Sequence, residues 1–171
     1  DVMQGYIQPR GFIFIRVTGA SLLFWLFHAS AKAEKIERKD YLRIALCGLT
    51  GVALNQMMFF EGLNLTTPIN ASIIMTSSPI IVLLVSAIIY KEKLTPAKII
   101  GIALGAAGAI YLIAGNKEVS LLESGTSLGN LFVFVNAVSY SSYLILVKPL
   151  MAKYEALTVI KWVFLAGFIF V

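Results

Sequence analysis

The sequence predicts an all-α membrane protein, a bundle of several spanning helices. Three observations carry this. Apolar residues make up 58% of the 171-residue chain and charged residues 13%, against roughly 45–50% and 25% in soluble domains. The apolar residues fall into runs of about the 20 residues that cross a hydrocarbon core of roughly 30 Å. The breaks between the runs hold the turn residues and nearly all of the charge. A soluble domain of this size leaves a large share of its surface in water. A chain with a mean hydropathy of +0.85 cannot hide its apolar surface that way, whereas in a bilayer its helix faces meet lipid.

Five runs are long enough to span, at about 11–28, 42–62, 69–90, 96–114 and 127–148, and a sixth, 157–171, is truncated. The separating segments read as loops. Residues 29–41 form a charged linker, 64–68 a polar turn and 91–95 a charged turn. Thr95 and Pro96 then supply an N-cap and a proline at the first helical position. Residues 115–126 are polar with glycine, and 149–156 make the last break. The chain begins at Asp1 and has no charged stretch leading into a cleavable apolar segment. It is expected to be an internal fragment of a longer protein.

If each run spans, the loops alternate sides. Lys32, Lys35, Arg38, Lys39, Arg43, Lys91, Lys93, Lys98, Lys148, Lys153 and Lys161 then share one side, and only Arg10 and Lys117 stand on the other. This bias places loops 29–41, 91–95 and 149–156 in the cytoplasm. It also accounts for the net charge of +5 as topology, so nucleic acid is not an expected partner.

Polar residues inside the runs are the candidates for function, because each is costly in hydrocarbon unless it faces protein or water. Arg16 in the first run either snorkels to the outer interface or faces a cavity, where it attracts anionic groups or pairs with Glu61. Glu61 closes the second run, either as an interfacial carboxylate or as a proton-coupling group. Asn55 and Gln56 lie mid-run, as interhelical glue or as substrate contacts. The third run carries Asn70, Ser77 and Ser78 at roughly helical spacing, with Pro79 mid-membrane. A proline there bends the helix, and broken helices line many transport pathways. Asn136, Ser139, Tyr140 and Tyr143 share one face of the fifth run and suit a wet, aromatic-lined cavity or polar packing. Gly101, Gly105 and Gly108 in the fourth run read as a small-residue packing face.

The lone Cys47 and His28 exclude a disulfide and a Cys- or His-rich metal centre within this sequence. No Gly-x-Ser-x-Gly, His-Glu-x-x-His or phosphate-binding loop is present. No enzyme chemistry and no cofactor or metal site is therefore expected.

The stretch Glu61-Gly62-Leu63-Asn64-Leu65-Thr66-Thr67-Pro68-Ile69-Asn70-Ala71, then Ser78-Pro79, Tyr90-Lys91-Glu92-Lys93-Leu94-Thr95 and Gly101-Ile102-Ala103-Leu104-Gly105 resemble EamA-type permeases of the drug/metabolite transporter superfamily. Arg16 and Gly129-Asn130-Leu131 fit the same pattern. The resemblance implies a ten-helix inverted-repeat transporter. Residues 1–114 would be most of the first five-helix repeat without its first helix, 115–126 an external linker, and 127–171 the start of the second repeat. It implies a permease moving a small metabolite or amphiphile by alternating access. Its substrate would bind near the midplane against Arg16, Asn55, Gln56, Asn70, Ser77, Asn136, Tyr140 and Tyr143, with Glu61 a coupling candidate. The different-class reading is a non-transporting scaffold or channel subunit. The partners expected are the lipid bilayer, a small-molecule substrate and, as one option, a second copy in a homodimer.

The charge bias makes a prediction. A cysteine at Ala33 is expected to resist a membrane-impermeant thiol reagent in intact cells and to react once the membrane is opened. Ready labelling in intact cells reverses the orientation.

Overall fold

The computed structural model describes residues 9–28, 34–91, 95–114 and 126–171. All its regular elements are helical: α1 (Pro9–His28), a 3₁₀ turn (Arg38–Asp40), α2 (Tyr41–Gly48), a π turn (Leu49–Ala53), α3 (Leu54–Leu65), α4 (Pro68–Thr76), α5 (Ser78–Tyr90), α6 (Pro96–Ala114), α7 (Ser127–Met151) and α8 (Ala156–Phe170). The expected loop segments 29–33, 92–94 and 115–125 lie outside the described residues, and Lys32, Glu92 and Lys117 lie there with them.

Each expected run is helical, and two differ from a plain rod. The second run is one helical stretch, Arg38–Leu65, widened by a π turn. The Leu54 N–H reaches back five residues to the Leu49 carbonyl, and the Thr50 hydroxyl donates to the Leu46 carbonyl at 2.8 Å. The third run is broken at Ser77 and bent by 42°. Pro79 has no N–H and its ring crowds the carbonyl four residues back. By length and composition, Arg38–Leu65 and Ser127–Met151 are long and apolar enough to cross a membrane, and the bent pair makes a third span if counted as one. Gly11–Phe27, Pro96–Gly105 and Ala156–Phe170 are shorter apolar stretches. Lys91 ends α5 in the left-handed conformation (φ 52°), which closes the last turn in the way glycine usually does.

The chain forms two compact units, one of Asp1–Met57 with Leu146–Val171, the other Met58–Ile145. In the first, α8 packs against α1 and α2. Rings pair along α1 and α8 in opposite chain order, Phe14 with Phe168, Phe24 with Phe164 and Trp25 with Trp162, so the two helices run antiparallel. Gly48 and Gly167 let backbones touch. A Cβ on Gly48 would lie 2.7 Å from the Gly167 nitrogen, and one on Gly167 would lie 2.5 Å from the Val52 Cβ.

A polar clasp closes one end of this unit. Lys153 donates to Asp40 at 2.7 Å and to Glu37 at 2.6 Å. The buried Tyr154 hydroxyl donates to Asp40 at 2.8 Å and accepts from the Glu37 N–H at 3.0 Å. The Lys153 hydrogen bond, followed by that of Lys39, holds the Glu37 carboxyl below its ordinary range. Asp40 first and Glu37 second hold the Lys153 ammonium above its own. A depressed carboxyl contributes stability above its unfolded value of about 4 and loses it as pH falls through the folded value. A raised ammonium contributes below about 10.4 and loses it as pH rises. The clasp is therefore complete between those limits.

In the second unit, Gly62 on α3 and Gly129 on α7 make the close approach. A Cβ on Gly62 would lie 2.8 Å from Val133 Cγ2, and one on Gly129 would lie 2.6 Å from the Leu65 carbonyl carbon. Ala71 and Ile74 of α4 bury against Val133 of α7, with Leu63, Met75 and Phe134 around them. The expected glycine face of α6 is weaker than these contacts. Gly101 and Gly108 face nothing within 4 Å among the described residues, and the atoms nearest a Cβ on Gly105 belong to the flexible Ile80 side chain, the closest at 2.5 Å, and not to a backbone.

Gly167→Ala is expected to lower the melting temperature of the full-length protein in detergent by the equivalent of about 1–3 kcal/mol, the usual range for overpacking. Gly101→Ala is expected to leave it unchanged or raise it through helix propensity. Equal effects at the two positions remove the close-packing role of Gly167.

Candidate functional site

The second unit holds a broken helix beside a polar helix face. Two contacts fix their direction. The Thr66 hydroxyl donates to the Asn130 side-chain oxygen where α3 ends and α7 begins. At the far end, the Tyr90 hydroxyl donates to the Ile145 carbonyl at 3.4 Å. The latter is the carbonyl four residues before Pro149, which a proline leaves without its helical partner. Helices α4 and α5 thus run parallel to α7. The break at Ser77 lies between the two anchors along one strand of chain, and Asn136, Ser139, Tyr140 and Tyr143 lie between them along the other.

Local sequence sets each position. Thr67 caps α4, its side chain accepting from the Asn70 N–H at 3.2 Å, and Pro68 opens the helix. That places Asn70 in the first turn with its side chain inward and 0% exposed. Neither Asn70 Oδ1 nor Nδ2 has a hydrogen-bond partner among the described residues, and the same holds for the buried Ser78 Oγ beside the break. Leaving a buried amide unsatisfied costs about 1–3 kcal/mol, so such groups call for a physical reason. The break itself is satisfied, because the Ser77 carbonyl accepts from the N–H groups of Ile80 and Ile81 at 3.0 and 3.1 Å.

The α7 stripe splits in two. Asn136 and Ser139 are buried, whereas Tyr140 is 37% exposed and Tyr143 half-buried. The two rings stand 6.0 Å apart at 33°. Ser141 and Ser142 turn back on their own helix, donating to the carbonyls of Ala137 and Val138 at 2.7 and 2.8 Å.

Of the eight expected substrate residues, Asn70, Ser77, Asn136, Tyr140 and Tyr143 therefore share one unit. Arg16, Asn55 and Gln56 belong to the other. Arg16 is exposed on α1, and Asn55 and Gln56 are half-buried immediately after the π turn. Gln56 Oε1 is buried without a hydrogen-bond partner among the described residues. Glu61 is half-buried near the end of α3. The sequence reading missed the Thr66–Asn130 pair and the π turn. Thr50-Gly51 beside Asn55-Gln56 was the available signal for the turn, since π turns gather at functional sites.

Chemically, the second unit offers a helix break with buried neutral polar groups and, on α7, an amide, a hydroxyl and two phenol rings. That set suits a small compound with an uncharged or dipolar head and an apolar part.

The family model described as the EamA-like transporter family matches residues 1–114. The chain is 29% identical to an uncharacterized transporter of Archaeoglobus fulgidus, over 96% of this chain and 56% of that protein. It is 32% identical to a WAT1-related protein of Arabidopsis thaliana, over 94% and 51%. It is 27% identical to a probable terminal-alkyne amino-acid exporter of Streptantibioticus cattleyicolor, over 98% and 54%. The chain spans about half the length of these curated relatives. No solved structure matches it.

The unsatisfied amide gives a test of its own. Leu matches Asn roughly in shape and carries no polar atom. Asn70→Leu is expected to raise the melting temperature by the equivalent of about 1–3 kcal/mol. A fall in stability means that Asn70 is held by hydrogen bonds in the full-length protein.

Proposed function

Because the chain belongs to the EamA-like transporter family, we propose that its protein is a secondary transporter that carries a small metabolite or amphiphilic compound across the cell membrane by alternating access. The observation that carries this reading is the pair of buried, unsatisfied polar side chains, Asn70 and Ser78, at a helix broken and bent by 42°. A static membrane scaffold has no use for such groups and gains stability by losing them. A transporter needs polar groups that change partners as its helices move, and broken helices supply them near the midplane.

The proposed architecture is a pair of five-helix repeats of opposite orientation. Residues 1–114 supply most of the first, 115–126 cross on the outside and 127–171 begin the second. Loops 29–41, 91–95 and 149–156 lie in the cytoplasm, following the cation bias. The proposed substrate residues of the second unit are Asn70, Ser77, Asn136, Tyr140 and Tyr143; Arg16, Asn55 and Gln56 are kept as candidates on their polarity within apolar runs alone. Glu61 is a candidate for proton coupling. The relative named a probable terminal-alkyne amino-acid exporter supports a substrate with a dipolar head and a short apolar tail.

The test uses the full-length protein in proteoliposomes with a panel of labelled neutral amino acids. Tyr140→Ala and Asn136→Ala are expected to lower transport of whichever compound is carried by about tenfold or more, a loss of at least one good hydrogen bond or ring contact. Membrane levels should stay near normal, and Leu144→Ala should transport almost as the parent does. Normal transport by both polar variants would make the α7 stripe packing and remove it from the pathway.

A further inference from the structure

The first unit carries a cation that the transport reading does not use. Lys161 is the sixth residue of α8, about 8 Å along the helix axis from its start at 1.5 Å per residue. Its ammonium sits 4.7 Å from the Trp25 ring centre and 5.8 Å from that of Trp162. Trp162 is wedged between two rings, Trp25 of α1 at 5.7 Å and Tyr41 of α2 at 5.6 Å. Three helix ends thus converge on one charge. No carboxylate among the described residues lies within ion-pair distance of Lys161, and the carboxylates just before α2, Glu37 and Asp40, are taken by Lys39 and Lys153.

The surroundings are amphiphilic. Trp25 and Tyr41 are each 42% exposed, and Leu22, which lies three residues before Trp25 and four before Leu26 and so adjoins both, is 62% exposed, with Leu26 at 69%. Tryptophan and tyrosine gather at headgroup level in membranes, and basic pockets between helix ends hold anionic headgroups. The ring faces add cation–π attraction, which orders the ammonium without neutralising it.

We propose that Lys161, Trp25, Trp162 and Tyr41 form a binding site for the phosphate of an anionic phospholipid, whose acyl chain lies along Leu22 and Leu26. The occupant is a lipid and not a free anion, because the charge adjoins exposed aliphatic surface that an acyl chain covers and a free anion does not. The site lies wholly in the first unit and does not depend on the transport reading.

The experiment measures the melting temperature of the purified full-length protein in neutral detergent. Phosphatidylglycerol, phosphatidylcholine with the same acyl chains, or inorganic phosphate is added. Phosphatidylglycerol is expected to stabilise more than phosphatidylcholine, and inorganic phosphate not at all. Lys161→Gln should weaken the phosphatidylglycerol response by about five- to tenfold in half-saturating concentration, the scale of one basic contact at a lipid surface. Lys161→Arg should restore it. Trp25→Leu should weaken it while keeping apolar bulk, and Lys148→Gln should leave it unchanged. The proposal falls if both lipids stabilise the parent equally or if Lys161→Gln keeps the full response. It also falls if inorganic phosphate reproduces the effect, which assigns the site to a free anion. Should Lys161→Gln fail to fold, Trp25→Leu and the comparison of lipids on the parent protein decide alone.

Discussion

Inside hydrocarbon, a backbone N–H or C=O with no partner costs several kcal/mol, and the rest of this structure follows from avoiding that cost. It makes the regular elements helical, and it dictates how each helix is allowed to break. At Ser77 the break is closed by a carbonyl that accepts from two later N–H groups. At Pro149 the carbonyl freed at Ile145 is met by the Tyr90 hydroxyl. At the π turn the threonine hydroxyl and a five-residue hydrogen bond take up the slack. Each break carries a backbone-directed hydrogen bond of its own, while the side chains Asn70, at the start of the broken helix, and Ser78, at the break, have buried polar atoms with no hydrogen-bond partner among the described residues. That contrast separates function from architecture in the second unit. Under the proposed transport reading, these are the side chains that change partners as the helices move.

The helical fold was legible because its cause is one-dimensional. Apolar runs of membrane length, proline at helix starts and a cluster of charge at each turn are properties of consecutive residues. Helix α1, the broken pair α4–α5 and α7 all appear within a few residues of where the runs place them. Close helix contacts were less legible, because a glycine does not name its neighbour. The spacing of Gly101, Gly105 and Gly108 suggested a packing face, yet the backbone contacts fall at Gly48 with Gly167 and at Gly62 with Gly129. These pairs are far apart in sequence and have no shared period.

The candidate site was half legible for the same reason. Asn70, Ser77, Asn136, Tyr140 and Tyr143 are conspicuous as polar residues in apolar runs, and the fold gathers them in one unit. The sequence did not distinguish the satisfied from the unsatisfied among them. Asn70 and Asn130 are both buried, and the Asn70 amide has no hydrogen-bond partner among the described residues. Asn130 is answered by Thr66 across 64 residues of chain, a match that no local pattern encodes.

The discontinuous first unit has a consequence for biogenesis. Its halves, Asp1–Met57 and Leu146–Val171, are separated by the whole of the second unit, and its clasp joins Asp40 to Lys153 across 113 residues. Synthesis runs from the N-terminus, so the second unit can pack before α8 exists. Helices α1 and α2 meanwhile wait in the bilayer with the Gly48 groove and the ring face of α1 uncovered. Arrival of α8 fills that groove, aligns the aromatic ladder and lets Lys153 and Tyr154 reach the two carboxylates. The last helix of this stretch thus acts as the bolt that completes what the first two began. A nascent chain stalled before α8 presents the membrane's quality-control machinery with an open glycine groove and an unclosed acidic turn.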